Sequence, residues 1–96
     1  MWDQVGQLYA HHGDVPAEVR LLKLTEEVGE VAEAFIGMRG LNNRKGVCRT
    51  RDDLLAELAD VIITAAVAMS GVTGDVDEAR RHLERRLAVV TERAGL

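Results

Sequence analysis

Two acidic pairs at three-residue spacing are the residues of this chain best suited to chemistry. Glu27 and Glu30 form the first, within Glu26-Glu27-Val28-Gly29-Glu30, and Glu57 and Asp60 form the second, within Glu57-Leu58-Ala59-Asp60. On an α-helix a three-residue step puts both side chains on one face, roughly 4.5 Å apart along the axis. Each pair therefore offers carboxylate oxygens to one point in space. If the two segments pack antiparallel, the pairs face each other.

Solvated helices carry such pairs too, so spacing alone does not separate a site from a charged surface. Asp60 weighs towards a site. It follows Leu58-Ala59 and precedes Val61-Ile62-Ile63, in a run where an unpaired carboxylate is costly. No lysine or arginine lies between Arg51 and Arg80 to neutralise it from the same segment. Like charges held together raise one another's pKa and oppose folding, and a divalent cation relieves both effects. All-oxygen donors favour Mg²⁺, with Mn²⁺ as a substitute, and leave coordination positions for water and phosphate. Two such ions balance four ionised carboxylates. Gly29, between the members of the first pair, suggests a helix surface that admits a close neighbour.

The elements that must position these groups are helical. Trp2, Val5, Leu8 and Tyr9 predict a helix over 2–12, stopped near Gly13. Asp14 is the expected N-cap of the next helix, 16–38, with Pro16 just inside it. Leu21, Leu24, Val28, Val31 and Phe35 make its apolar stripe, and Gly40 suits its stop. Leu41 to Arg49, with Asn42-Asn43 and Gly46, reads as a loop. Thr50 with Asp53 resembles a capping box opening a helix over 50–70. Beyond Asp60 that helix is apolar almost all round, so it is expected to be the most enclosed. Gly71 and Gly74 mark a turn, and Asp75 with Glu78 opens a fourth helix over 75–94. Val76, Ala79, Leu83, Leu87 and Val90 line one side of it and arginines the other. The expected fold is all-α, a four-helix bundle-type protomer in a single domain over 1–96.

Composition narrows the function. A chain of 96 residues hides only about 60–65% of the surface its unfolded form exposes, so self-association is an economical way to complete its core. Twelve basic against sixteen acidic residues give a net charge of −4, which disfavours binding to a nucleic-acid polymer. The basic residues are clustered all the same: Arg39 to Arg51 contains no acid, and arginines crowd the fourth helix. Cys48 is the only cysteine, which precludes an intrachain disulfide and fits a reducing compartment. It has no histidine nearby in sequence to activate it as a nucleophile. The N-terminus has no signal-peptide pattern, and the apolar run 58–69 is too short to cross a bilayer. A cytoplasmic protein with no membrane partner is expected.

Glu26-Glu27-x-x-Glu30 followed by Glu57-x-x-Asp60 resembles the MazG-like all-α nucleoside triphosphate pyrophosphohydrolases. The flanking residues Lys23-Leu24-Thr25-Glu26-Glu27-Val28-Gly29-Glu30-Val31-Ala32-Glu33-Ala34 and Glu57-Leu58-Ala59-Asp60-Val61-Ile62 are similar as well. The likeness is close over about residues 20 to 70. It implies hydrolysis of a nucleoside triphosphate between the α and β phosphates, giving monophosphate and pyrophosphate. It also implies Mg²⁺ ligation by Glu27, Glu30, Glu57 and Asp60, with Glu26 or Glu27 acting on the attacking water. Assembly as a homo-oligomer, dimer or tetramer, with pockets shared between chains, is implied too, as is a role in clearing modified or damaged nucleotides.

Lys23, one turn before Glu27, and Arg44 and Lys45 in the acid-free loop are the candidates for holding the triphosphate. Lys23 is equally placed for an ion pair with Glu27. Asn42 and Asn43 could read a base edge or simply form a turn. The competing readings are a phosphoribosyl-ATP pyrophosphohydrolase, a non-catalytic helical dimerisation module, and a relative that binds nucleotide without cleaving it.

Overall fold

The computed structural model describes residues 1–41 and 44–96. Among them every regular element is an α-helix: α1 (Trp2–His12), α2 (Ala17–Arg39), α3 (Arg51–Thr73) and α4 (Val76–Arg93). The all-α, four-helix expectation holds, and the start of α3 and the ends of α2 and α3 follow from local chemistry. Thr50 accepts a hydrogen bond from the Asp53 amide at 3.1 Å while the Asp53 carboxylate accepts one from the Thr50 amide at 2.8 Å. This reciprocal box satisfies two amides that the first turn of α3 leaves over. Those bonds hold the Asp53 carboxyl below its ordinary pKa. Gly40 and Gly74 close α2 and α3 in the left-handed conformation.

Three local expectations are corrected. Helix α2 starts at Ala17 with Pro16 at the cap position, and no side chain caps it, so Asp14 has no capping role. Gly71 lies inside α3, which runs on to Thr73; only Gly74 makes the turn. At the head of α4 the Asp75 carboxylate accepts from the Asp77 amide at 3.1 Å, so Asp75 is the N-cap as expected, with Asp77 as its partner.

Helices α2 and α3 form an antiparallel hairpin, fixed by contacts along its length. Gly37 lies against Cys48 and Arg49 at one end, Glu27 meets Glu57 and Asp60 midway, and Arg20 lies against Gly71 at the other end. Helices α1 and α4 both pack on α3 and touch each other. Helix α3 is thus central, as expected, but it is enclosed only over its later turns. Ala66, Val67, Ala68 and Ser70 are buried, whereas Leu55, Leu58, Ile62 and Ile63 are exposed on the protomer. The α2 stripe divides similarly: Leu24 and Val31 are half-buried, Leu21, Val28 and Phe35 exposed. The single apolar stripe expected for α2 is therefore only partly covered, because α1 and α4 pack on α3 and leave the outer side of the two 23-residue helices open. Helix α3 as a whole is also long and apolar enough to cross a membrane by length and composition. The shorter run 58–69, taken alone, understated this.

The core is thin. Its buried apolar residues among those described are Val5, Ala34, Ala66, Val67, Ala68 and Ala79, none larger than valine. The radius of gyration is 16.1 Å, against roughly 12.5 Å for a compact domain of this length. Helix α4 is exposed from Arg81 to Val90, including its apolar side at Leu83, Leu87 and Val90.

Candidate metal centre

The antiparallel hairpin brings three of the four expected carboxylates together. Glu27 from α2 and Glu57 and Asp60 from α3 each offer an oxygen within 4.8 Å of the other two. Two ligands on one Mg²⁺ stand at most about 4.2 Å apart, so modest side-chain rotations would close the set on an ion. Glu27 is only 9% exposed. Its Oε2 and that of Glu57 are buried, and neither has a hydrogen-bond partner. A buried carboxylate oxygen without a donor is strongly unfavourable, and a cation is the partner that its charge and lone pairs suit.

Glu30, the fourth expected ligand, is half-buried and hydrogen-bonded with Glu27, adjoining the trio without entering it. Burial, followed by the charge of Glu30 and that hydrogen bond, pushes the Glu27 carboxyl above its ordinary pKa. Lys23 opposes the shift and Asp60 adds to it. Asp60 itself is exposed on the protomer. The expectation that it is enclosed by its own chain is therefore corrected: its apolar neighbours Leu58, Ile62 and Ile63 are open as well.

The other candidates separate clearly. Glu26 is exposed and pairs with Lys23 at 3.3 Å, on the solvent side of α2 and outside the trio. Lys23 also reaches Glu27 at 3.7 Å, so the ion-pair reading of Lys23 holds. The Glu26 hydrogen bond and the neighbouring charges raise its ammonium pKa. Arg44 and Lys45 are exposed in the turn after α2. Asn42 and Asn43 lie outside the described residues. Gly29 has open space beside it, so the close neighbour expected there does not come from this chain. The close approach occurs at Gly37 instead, where an added Cβ would stand 2.5 Å from Arg49 Cγ and 3.1 Å from Cys48 Sγ.

Two residues near the site were not singled out from sequence. Arg49 comes to 3.9 Å from Glu57, so the trio is flanked by a cation on each side, Lys23 and Arg49. Its position next to the Thr50 cap, at the end of the acid-free stretch, was the available signal. Arg20 is 7% exposed and had no signal beyond being a charge on an apolar helix face. Its Nη2 donates to the Gly13 carbonyl at 2.9 Å, its guanidinium lies 5.1 Å from the Tyr9 ring centroid, and its Cδ fills the notch left by Gly71. Arg20 thereby ties the end of α1 to both α2 and α3. The tie borders a cleft of about 430 Å³, walled by Leu8, Val19, Ile63 and Val67, that reaches Lys23 and Glu27.

The arrangement can hold a divalent cation against α2 and α3, with cationic groups beside it for anionic oxygens and a mainly apolar cleft adjoining. Compared with protein-family models, curated proteins and solved structures, the chain gives no match.

Proposed function

We propose that the chain is a Mg²⁺-dependent nucleoside triphosphate pyrophosphohydrolase of the MazG-like kind, cleaving the α–β phosphate bond to give monophosphate and pyrophosphate. The observation that carries the reading is the convergence of Glu27, Glu57 and Asp60 across the α2–α3 groove, with two buried oxygens lacking any donor. Glu27, Glu57 and Asp60, joined by Glu30, would hold the metal, and Mn²⁺ would substitute for it. A divalent ion held by these residues would supply neutralisation of phosphate charge and activation of water. Lys23 and Arg49 flank the trio and suit the oxygens of the leaving pyrophosphate, whose charge grows as the bridge breaks. A carboxylate oxygen of Glu27 left out of ligation would take the proton of the water that adds to phosphorus as pyrophosphate leaves, while Glu26, outside the trio and paired with Lys23, would act through that ion pair. Arg44 and Lys45, exposed in the acid-free turn after α2, would be further candidates for the triphosphate tail.

The working form in this reading is a homo-oligomer, dimer or tetramer. The thin core and the open apolar side chains around Asp60 support it, since a second copy covering Leu58 and Ile62 would also desolvate the carboxylates. The test is pyrophosphate release across ordinary and modified triphosphates and phosphoribosyl-ATP, with and without Mg²⁺. Release that requires the metal and disappears in Asp60→Asn is expected. A folded protein that releases no pyrophosphate and melts identically with and without Mg²⁺ would leave a helical dimerisation module as the better account.

A further inference from the structure

The cleft beside the carboxylates contains two polar side chains that the fold does not use. Thr64 lies on α3 one turn beyond Asp60, so it is about 6 Å further along the helix axis on the same side. A threonine inside a helix usually returns its hydroxyl to the carbonyl four residues back. Thr25, Thr73 and Thr91 do so here, donating to the Leu21, Met69 and Leu87 carbonyls at 3.4, 3.0 and 3.0 Å. Thr64 does not: among the described residues it has no hydrogen-bond partner, although it is half-buried and lines the cleft. His12, the last residue of α1, lines the same cleft; it is exposed, its ring stands edge-on to that of His11 at 5.6 Å, and it has no hydrogen-bond partner among the described residues. The remaining wall is largely apolar, and the volume of about 430 Å³ lies in the range of small-molecule sites.

Resting on the reading above, we infer that this cleft takes the nucleoside of the substrate, with Thr64 reading the sugar and His12 reading the base edge. The order follows from the chemistry of the ligand. Phosphates belong at the carboxylate end, where Glu27 and Lys23 enter the cleft. The sugar is the next group along, at the depth of the Thr64 hydroxyl. The base then lies between Leu8, Val19, Ile63 and Val67, with His12 at its edge. Arg20 acts as a positioning residue, because its bond to Gly13 and its seat against Gly71 hold the end of α1, and with it His12, against the cleft.

The experiment measures discrimination. Isothermal titration in Mg²⁺ gives the affinities of ribo- and deoxyribonucleoside monophosphates carrying each base, and kcat/KM is measured for the matching triphosphates. Thr64→Val keeps shape and removes only the hydroxyl. It should change the ribose-to-deoxyribose ratio by about 10-fold, the worth of one hydrogen bond. His12→Ala should reorder the bases while leaving the sugar ratio alone. Thr91→Val on exposed α4 is the control and should change neither ratio. If both ratios survive Thr64→Val and His12→Ala in an active protein, the cleft assignment is overturned and the hydrolase reading stands. Monophosphate binding that responds to these variants, without pyrophosphate release, would retain the cleft and overturn the hydrolase reading. Absence of both binding and hydrolysis in the wild type would overturn the two together.

Discussion

The middle of the α2–α3 hairpin and the first half of α4 carry the same kinds of residue with opposite consequences. On α4, Arg80 meets Glu84 at 3.0 Å and Asp77 at 4.0 Å, with these side chains in contact with water. Such pairs are screened and individually weak. Midway along the hairpin, Glu27, Glu57 and Asp60 gather with two oxygens sealed from solvent and unmatched by donors. The α4 charges keep a helix soluble. The hairpin charges oppose the fold that holds them unless something else binds. Burial, rather than acidic spacing, distinguishes a site from a surface, and the two regions can be set against each other experimentally.

The largest contrast should appear in turnover. Asp60→Asn or Glu30→Gln should lower kcat/KM for a triphosphate by on the order of 100- to 1000-fold while the far-ultraviolet circular dichroism stays helical. The Arg80→Ala protein should keep its rate. Next is metal-linked stability. Mg²⁺ should raise the melting temperature of the wild type, by about 2.7 kcal/mol of stabilisation when the ion is at 100 times its dissociation constant, and should leave the Asp60→Asn melt unchanged.

A third test uses α2 itself, comparing two glycines. Gly37→Ala forces a Cβ into Arg49 and Cys48 and should destabilise by about 1–3 kcal/mol in urea titration. Gly29→Ala, with open space beside it, should stabilise by roughly 0.5–1 kcal/mol through helix propensity.

The fourth test is pH-dependent. The Glu27 carboxyl titrates above its unfolded value. In metal-free protein its contribution is therefore fully present below the unfolded pKa and is lost as pH rises through the folded one. Glu27→Gln should flatten that decline and, without metal, raise the melting temperature at neutral pH relative to wild type. The smallest effect should be that of Arg80→Ala on stability, no more than about 0.5 kcal/mol.

Most of the fold could be read in the sequence because its signals are local. The Thr50–Asp53 box, the αL glycines at 40 and 74 and the three- and four-residue apolar steps each act within a turn or two of chain. The acidic convergence was legible for a related reason: two local periodicities and one antiparallel connection bring Glu27, Glu57 and Asp60 together. What escaped depends on tertiary neighbours. Arg20 looks like any charge on an amphipathic helix until Tyr9, Gly13 and Gly71 surround it. Gly29 and Gly37 are alike in sequence, and only the returning loop at Cys48 and Arg49 shows which one needs to lack a side chain. The exposure of Asp60 escaped because apolar neighbours in sequence need not be covered by the same chain.

A core whose largest members are valines has a kinetic consequence. Little apolar surface is available to reward an isolated chain for ordering its helices, so in the proposed homo-oligomer docking of the chains would be part of the folding reaction itself. Refolding from urea should then speed up with protein concentration, its slow phase following second-order kinetics, and dilution alone should shift the unfolding midpoint downward.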